Sequence, residues 1–371
     1  MNIIFLTRHD PNDIKKWSGT LWHIYNKLKE KHHVEVIGSE VFRQLSVFAM
    51  GNLSTEALLY ADRYFLKQSN VLSERINSRD FDLVFFGSLF FTPLNIDIPF
   101  VHVSDLNCRY AQKHYLKTEE KFIKTLFEYE EELLTSSFRI IYCSEWIKQE
   151  VIEQYHLDPD KIDVVDFGAN IPTPTTYSIE INTDICRLVF IGKDWERKGG
   201  DMLMKIFKLL KKDGFPCELT IIGSKPPDYN DCKDLTVYPS LDKSKPADLK
   251  ILCKVLSESH FLVLPTKFDA FGIVFCEASA YGVPSISANV GGVSQAIKEG
   301  ENGYLLPADA TASDYAEKIK DVFSDRQSYF KLRKSSRNEF ETRLNWDVWG
   351  DKVNRILEDA VRDWNYQKNK T

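Results

Sequence analysis

What most constrains this chain is an alternation, made twice, of short apolar runs with helix-length amphipathic stretches. In the first half, residues 3–7, 34–38, 81–87, 100–103, 139–144 and 162–167 read as strands. Helical patterns such as 20–31, 56–77 and 118–134 lie between most of them. Nearly continuous apolar runs belong to strands covered on both faces, and the intervening helices supply the crossovers of a parallel sheet. The alternation breaks at "GANIPTPTTYSIEINTD", residues 168–184, where Pro172 and Pro174 sit in a stretch of little periodicity that reads as a linker. It restarts with strands at 188–192, 218–223, 236–238, 261–265 and 285–288. The expected fold is α/β: two Rossmann-like, doubly wound domains, 1–170 and 171–345, facing a central cleft. From Trp346 onward, Trp349, Val353, Ile356, Leu357, Ala360 and Trp364 fall near one helical face. A helix over 346–371 is therefore expected to pack back onto the first domain.

A length of 371 residues suits two cores, and the 43% hydrophobic and 13% aromatic shares can fill both. The net charge of −6 gives no electrostatic footprint for nucleic acid, so an anionic ligand has to be met by local Lys or Arg. Seven cysteines without paired spacing read as reduced cytosolic thiols, with neither a disulfide framework nor a zinc site. No apolar run approaches the length needed to cross a bilayer, and the opening residues read as a strand, which together point to the cytoplasm.

In open parallel sheets, ligands bind beyond the carboxyl ends of the strands, so the loops after strands carry the chemistry. Loop 7–19 ends in Ser18, Gly19 and Thr20 at a helix start, where a small residue lets an oxyanion approach the backbone. The loop "GKDWERKGGD" sets Lys193, Arg197 and Lys198 before a helix N-terminus, a position where the helix dipole disfavours cations and an anionic ligand accounts for them. A solvated loop balanced by Asp194 and Glu196 is the bland alternative. "FVHVSDLNCRY" keeps His102 within a strand and puts Asp105 just past its carboxyl end. Finally, Glu277 is the one charge in the apolar helix 273–281, with Asp269 eight residues upstream. A buried carboxylate needs a hydrogen-bonding partner, from the protein or from a ligand. The Asp158–Asp160 pair belongs to a turn at the wrong strand end for a metal, and no serine sits in a nucleophile elbow.

The segment "LPTKFDAFGIVFCEASAYGVPSISANVGGVSQAIKEGENGYLLP" resembles the donor-site signature of retaining GT-B glycosyltransferases, the large family four group. That pattern is an acid, a Gly-Phe-Gly-like turn and a Glu, with seven residues between the two acids. Here these are Asp269, Phe271 with Gly272, and Glu277. Lys193 and Lys198 fall where the family has a basic pair, and "SGT" where it has its N-terminal glycine loop. The resemblance implies that Glu277 holds ribose hydroxyls of a nucleotide sugar and Asp269 the hydroxyls of the transferred sugar. Backbone amides from Phe271 and Gly272 through Ile273 and Val274 would meet the sugar or diphosphate, with Gly19 beside the donor. Lys193, Arg197 and Lys198 would offset phosphate charge in place of a divalent metal. Three departures stand out: Asp269 replaces the usual Glu, Lys193 the usual Arg, and Asp105 stands where many relatives have His, with His102 three residues earlier.

The implied activity is transfer of a sugar, with retention, from a UDP-sugar or GDP-sugar to a hydroxyl of a glycan, glycolipid or other acceptor, with no cofactor. Asp105, His102, Lys198 and Asp269 are the candidate catalytic residues. The alternatives are a GT-B nucleotide-sugar epimerase or phosphorylase, or a catalytically silent nucleotide-sugar-binding subunit. Trp17 and Trp22 among Lys15, Lys16, Lys27, Lys29 and Lys31 could rest on an anionic membrane beside a lipid-linked acceptor, or belong to a solvated helix with its tryptophans in the core.

Overall fold

Each sheet of the computed structural model reverses its strand order at one point, and that reversal decides where a ligand can sit. The structure describes residues 1–7, 9–37, 70–87, 94–115, 120–174, 177–227 and 233–370. Among them are β1 (Asn2–Leu6), β2 (His33–Ile37), β3 (Leu83–Gly87), β4 (Phe100–Ser104), β5 (Arg139–Tyr142) and β6 (Ile162–Val164), joined in the order β2-β1-β3-β4-β5-β6. A second sheet runs β12-β11-β10-β7-β8-β9, from β7 (Cys186–Ile191), β8 (Cys217–Ile222), β9 (Leu235–Tyr238), β10 (Phe261–Leu264), β11 (Ser285–Ala288) and β12 (Gly303–Leu306). All pairings are parallel. The reversals fall between β1 and β3 in one sheet and between β7 and β10 in the other, so crevices open at the carboxyl ends of those strands.

The apolar runs are buried because both sheet faces are covered. Every residue of β3, β4, β10 and β11 is buried. Phe5 stacks on Phe85 in the first sheet's core, with ring centroids 5.9 Å apart. In the second, Phe323 meets both His260 and Phe261 edge-on, and Tyr329 packs at a tilt against the same two rings. Local chemistry sets the helix starts. Asn107 accepts from the amide of Tyr110, Ser144 from that of Ile147, and Thr311 with Asp314 forms a reciprocal capping box.

The chain divides into two units, Met1–Val165 with Gly350–Thr371, and Asp166–Trp349. The division falls inside the last helix, Trp346–Lys368, which carries Trp349, Val353, Leu357 and Ala360 on one fully buried stripe. Within the first unit, Asn354 bonds the His32 ring at 2.9 Å, Lys31 pairs with Asp351 at 2.8 Å, and Trp364 meets Phe138 edge-on. The stretch that reads as a linker is instead bound along the second unit. Asn170 accepts from the Trp346 indole at 3.0 Å, Tyr177 donates to Arg333 O, and the Arg333 guanidinium donates to Ser178 O and Ile179 O. It lacks periodicity because its polar backbone is satisfied by a helix rather than by a sheet ladder.

The expected helix over 56–77 lies outside the described residues up to 69 and is helical over 70–77. Residues 118 and 119, Gly38, and Cys232 also lie outside them. β6 ends at Val164, three residues short of the apolar run, where the chain turns away into the second unit.

Candidate donor site

The loops after β7 and β10 both leave the reversal point of the second sheet, and they are joined to each other. Lys198, from the first loop, reaches both oxygens of Asp269 in the second, at 2.7 and 2.6 Å. Arg197 donates to Phe268 O at 2.9 Å and touches Asp269 Oδ1 at 3.5 Å, while its Nε binds Asp194 at 3.1 Å. The backbone stitches the same contact, since Lys267 donates its amide to Arg197 O at 2.7 Å. Glycines make the approach possible. Gly199 has φ +76, and a Cβ there would lie 1.9 Å from Pro265 O. A Cβ at Gly192 would meet the Lys198 stem at 2.9 Å.

Two of the three cations that the sequence leaves unpartnered are therefore paired within the protein: Arg197 by Asp194 and Asp269, and Lys198 by Asp269. A bound anion is not needed to explain their presence. Asp269 is 6% exposed, so its charge requires these partners. Burial draws the Lys198 ammonium below the usual lysine value, and Asp269 opposes that pull. Lys193 is exposed and has no ion-pair partner among the described residues.

Past Asp269 the chain turns at Gly272, φ +87, where a Cβ would strike the Phe275 ring at 2.4 Å. The helix Ile273–Ala280 starts there, and every residue after Ile273 is buried. Phe271 is 2% exposed and meets Phe167 edge-on. Gly272 caps the helix without a side chain, so no side chain takes up the first-turn amides, among them those of Ile273 and Val274. Glu277 is 1% exposed, and its carboxylate has a protein partner that the sequence did not reveal: the ammonium of Lys243, from the segment after β9. Thirty-four positions separate the pair, and only the sheet order β7-β8-β9 carries Lys243 to that end.

In the first unit, Gly19 caps the helix Thr20–Lys31 at φ +99. Before it, Trp17 and Ser18 also have positive φ, 49° and 56°, which bulky residues seldom adopt. Trp17 is held by its indole N–H, which donates to Asp105 Oδ2 at 2.9 Å. Asp105 lies one residue past β4 and is partly exposed. His102, inside β4, is 2% exposed, and its Nδ1 has no partner among the described residues. Burial pushes its pKa down to about 3, so the ring is neutral, wedged between Phe86 and Tyr142. That arrangement suits a core residue better than a group exchanging protons with a ligand.

No group of three metal-ligating side chains occurs among the described residues, and no helix there is long and apolar enough to cross a membrane.

The fold is GT-B. Sucrose-phosphate synthase from Thermosynechococcus elongatus aligns over 97% of this chain and 98% of its own, with a TM-score of 0.67 at 14% identity. Anabaena HepE, solved in complex with UDP and glucose, aligns over 97% and 100%, with a TM-score of 0.62 at 13% identity. Residues 186–325, which carry Lys193, Lys198, Lys243, Asp269 and Glu277, match the family described as Glycosyl transferases group 1. A D-inositol 3-phosphate glycosyltransferase of Paenarthrobacter aurescens (strain TC1) is 26% identical over 219 residues, 54% of this chain and 52% of that protein. The chain thus spans about half the length of the curated relatives it matches.

Proposed function

We propose that this chain is a retaining glycosyltransferase that takes its sugar from a nucleotide diphosphate sugar without a metal ion. The observation carrying this reading is the convergence, at the reversal point of the second sheet, of the buried Asp269 with Lys198 and Arg197, one helix away from the buried Glu277. A carboxylate only accepts hydrogen bonds, so Glu277 suits the vicinal hydroxyls of a ribose and Asp269 those of the transferred sugar. HepE, which shares the fold, binds UDP and glucose.

In the reaction the bond between the sugar's anomeric carbon and the β-phosphate oxygen breaks, and its electron pair leaves with the phosphate. Lys198 and the exposed Lys193 offset that charge, and this stabilisation grows as the bond lengthens, which is where binding energy accelerates a reaction. The acceptor's hydroxyl oxygen then bonds to the anomeric carbon and gives up its proton. From the first unit we assign Asp105, oriented by Trp17, to that proton, and His102 to the core.

The test is nucleotide release from a panel of UDP- and GDP-sugars with an acceptor extract, with and without a strong chelator. Release that needs acceptor and survives chelation is expected. Release abolished by chelator and restored by magnesium or manganese would defeat the metal-free route, and no release at all would leave a binding subunit.

A further inference from the structure

Glu277 has an unusual neighbour for a carboxylate read as a ligand's anchor. Its helix offers no other charge, and it is 1% exposed, so its carboxylate needs a hydrogen-bonding partner from another element. What faces it is Lys243, whose ammonium bonds Oε1 and whose side chain remains 27% exposed. The loop that carries Lys243 is tied on both sides of it. Asp242 accepts from the Ser244 amide at 3.0 Å and hydroxyl at 2.6 Å, Lys245 N donates to Asp242 O at 2.8 Å, and Asp242 N donates to Asp248 at 2.9 Å. These bonds fix the backbone on either side of Lys243, and with it the direction from which its side chain reaches Glu277.

Resting on the donor-site reading above, we propose that Lys243 is a positioning residue: it holds the Glu277 carboxylate in one orientation, so that it meets the 2′- and 3′-hydroxyls of the donor's ribose. A carboxylate offers about four lone-pair sites, of which the ammonium takes one, so both hydroxyls can still be accommodated. Without Lys243, the carboxylate loses the bond that fixes its orientation toward the diol. The ribose is remote from the bond that breaks, so the loss falls on donor affinity and KM rather than on kcat.

The experiment measures the affinities of UDP, GDP and their 2′-deoxy counterparts for the full chain and for Lys243→Met, Lys243→Gln and Lys243→Arg, each checked for fold by circular dichroism. Wild type is expected to prefer one ribonucleotide over its deoxy form by about 10- to 100-fold, the worth of a hydrogen bond to a charged group. In Lys243→Met that ratio collapses toward one while kcat at saturating donor is kept, and Lys243→Arg retains the preference. If the methionine variant does not fold, the glutamine variant reads the same ratio. A ratio unchanged in a folded, uncharged variant overturns the inference and leaves the donor-site reading intact. Failure of wild type to bind UDP or GDP overturns the donor-site reading, and the inference with it.

Discussion

Replacing His102 with glutamine should change how the first unit responds to acid. The histidine's pKa is about 3 in the folded chain against 6.5 when exposed, so its contribution is fully present above pH 6.5 and is lost as pH falls toward 3. At pH 5 the unfolded chain has gained a proton that the folded one refuses, which costs about 1.4 kcal/mol per pH unit below 6.5, or about 2 kcal/mol. Glu130 acts in the opposite sense. Burial raises it to about 7, against bonds from the Tyr155 hydroxyl and the Cys108 amide, so its contribution is present below 4.5 and is lost as pH rises through 7. Between pH 7.5 and 5 it returns roughly 2 kcal/mol, so these two terms nearly cancel in the wild type. His260, pushed down to about 4, belongs to the second unit and is unaffected by the substitution. Urea unfolding of both proteins at pH 7.5 and pH 5.0 isolates His102 as a difference of differences. His102→Gln should gain about 2 kcal/mol relative to wild type on going to pH 5. A difference that is the same at both pH values would mean that the ring is not held neutral by burial.

Lys198→Ala leaves Asp269 buried with only the long contact to Arg197, so it should depress both stability, by about 3–5 kcal/mol, and turnover, whereas Lys212→Ala at the exposed end of its helix should change neither; chemical denaturation and steady-state rates of the two variants check this. Asp105→Asn should lower turnover by about 10² to 10⁴ with donor affinity little changed, and His102→Gln should do less at neutral pH. Trp17→Phe, which removes the indole donor from Asp105, should follow Asp105→Asn in direction with a smaller loss. Steady-state rates in which His102→Gln is the more damaging of the two, with both proteins folded, would exchange their roles.

The sequence makes the sheet architecture legible because buried parallel strands leave continuous apolar runs, and β10 and the helix Ile273–Ala280 fall within a residue of the expected bounds. It also places Lys193, Lys198 and Asp269 in loops after strands, and Glu277 in the helix that follows. What it could not give is pairing at a distance. Nothing local in "SLDKSKP" distinguishes Lys243 from the exposed Lys245 two residues on, and the link to Glu277 exists only once β9 stands at the edge of its sheet. The same holds for Trp17 and Asp105, 88 positions apart. The pairing of Lys198 with Asp269 was hidden for a related reason. Each group reads alone as half of a ligand contact, and the close approach of their loops depends on Gly199 leaving room for Pro265, with Gly192 leaving room for the Lys198 stem.

The account rests on Glu277 as an anchor for a donor, and thermal-shift measurements with nucleotides and nucleotide sugars on wild type and Glu277→Ala test it most directly. Losing Glu277 leaves Lys243 with a partly exposed ammonium that can turn to water, so the variant should fold and be at least as stable when empty. Wild type should gain about 2.7 kcal/mol at a hundredfold excess of ligand over Kd, a rise of several degrees in the midpoint. A folded Glu277→Ala that no nucleotide stabilises is the predicted result, and a folded Glu277→Ala stabilised as much as wild type would contradict the assignment.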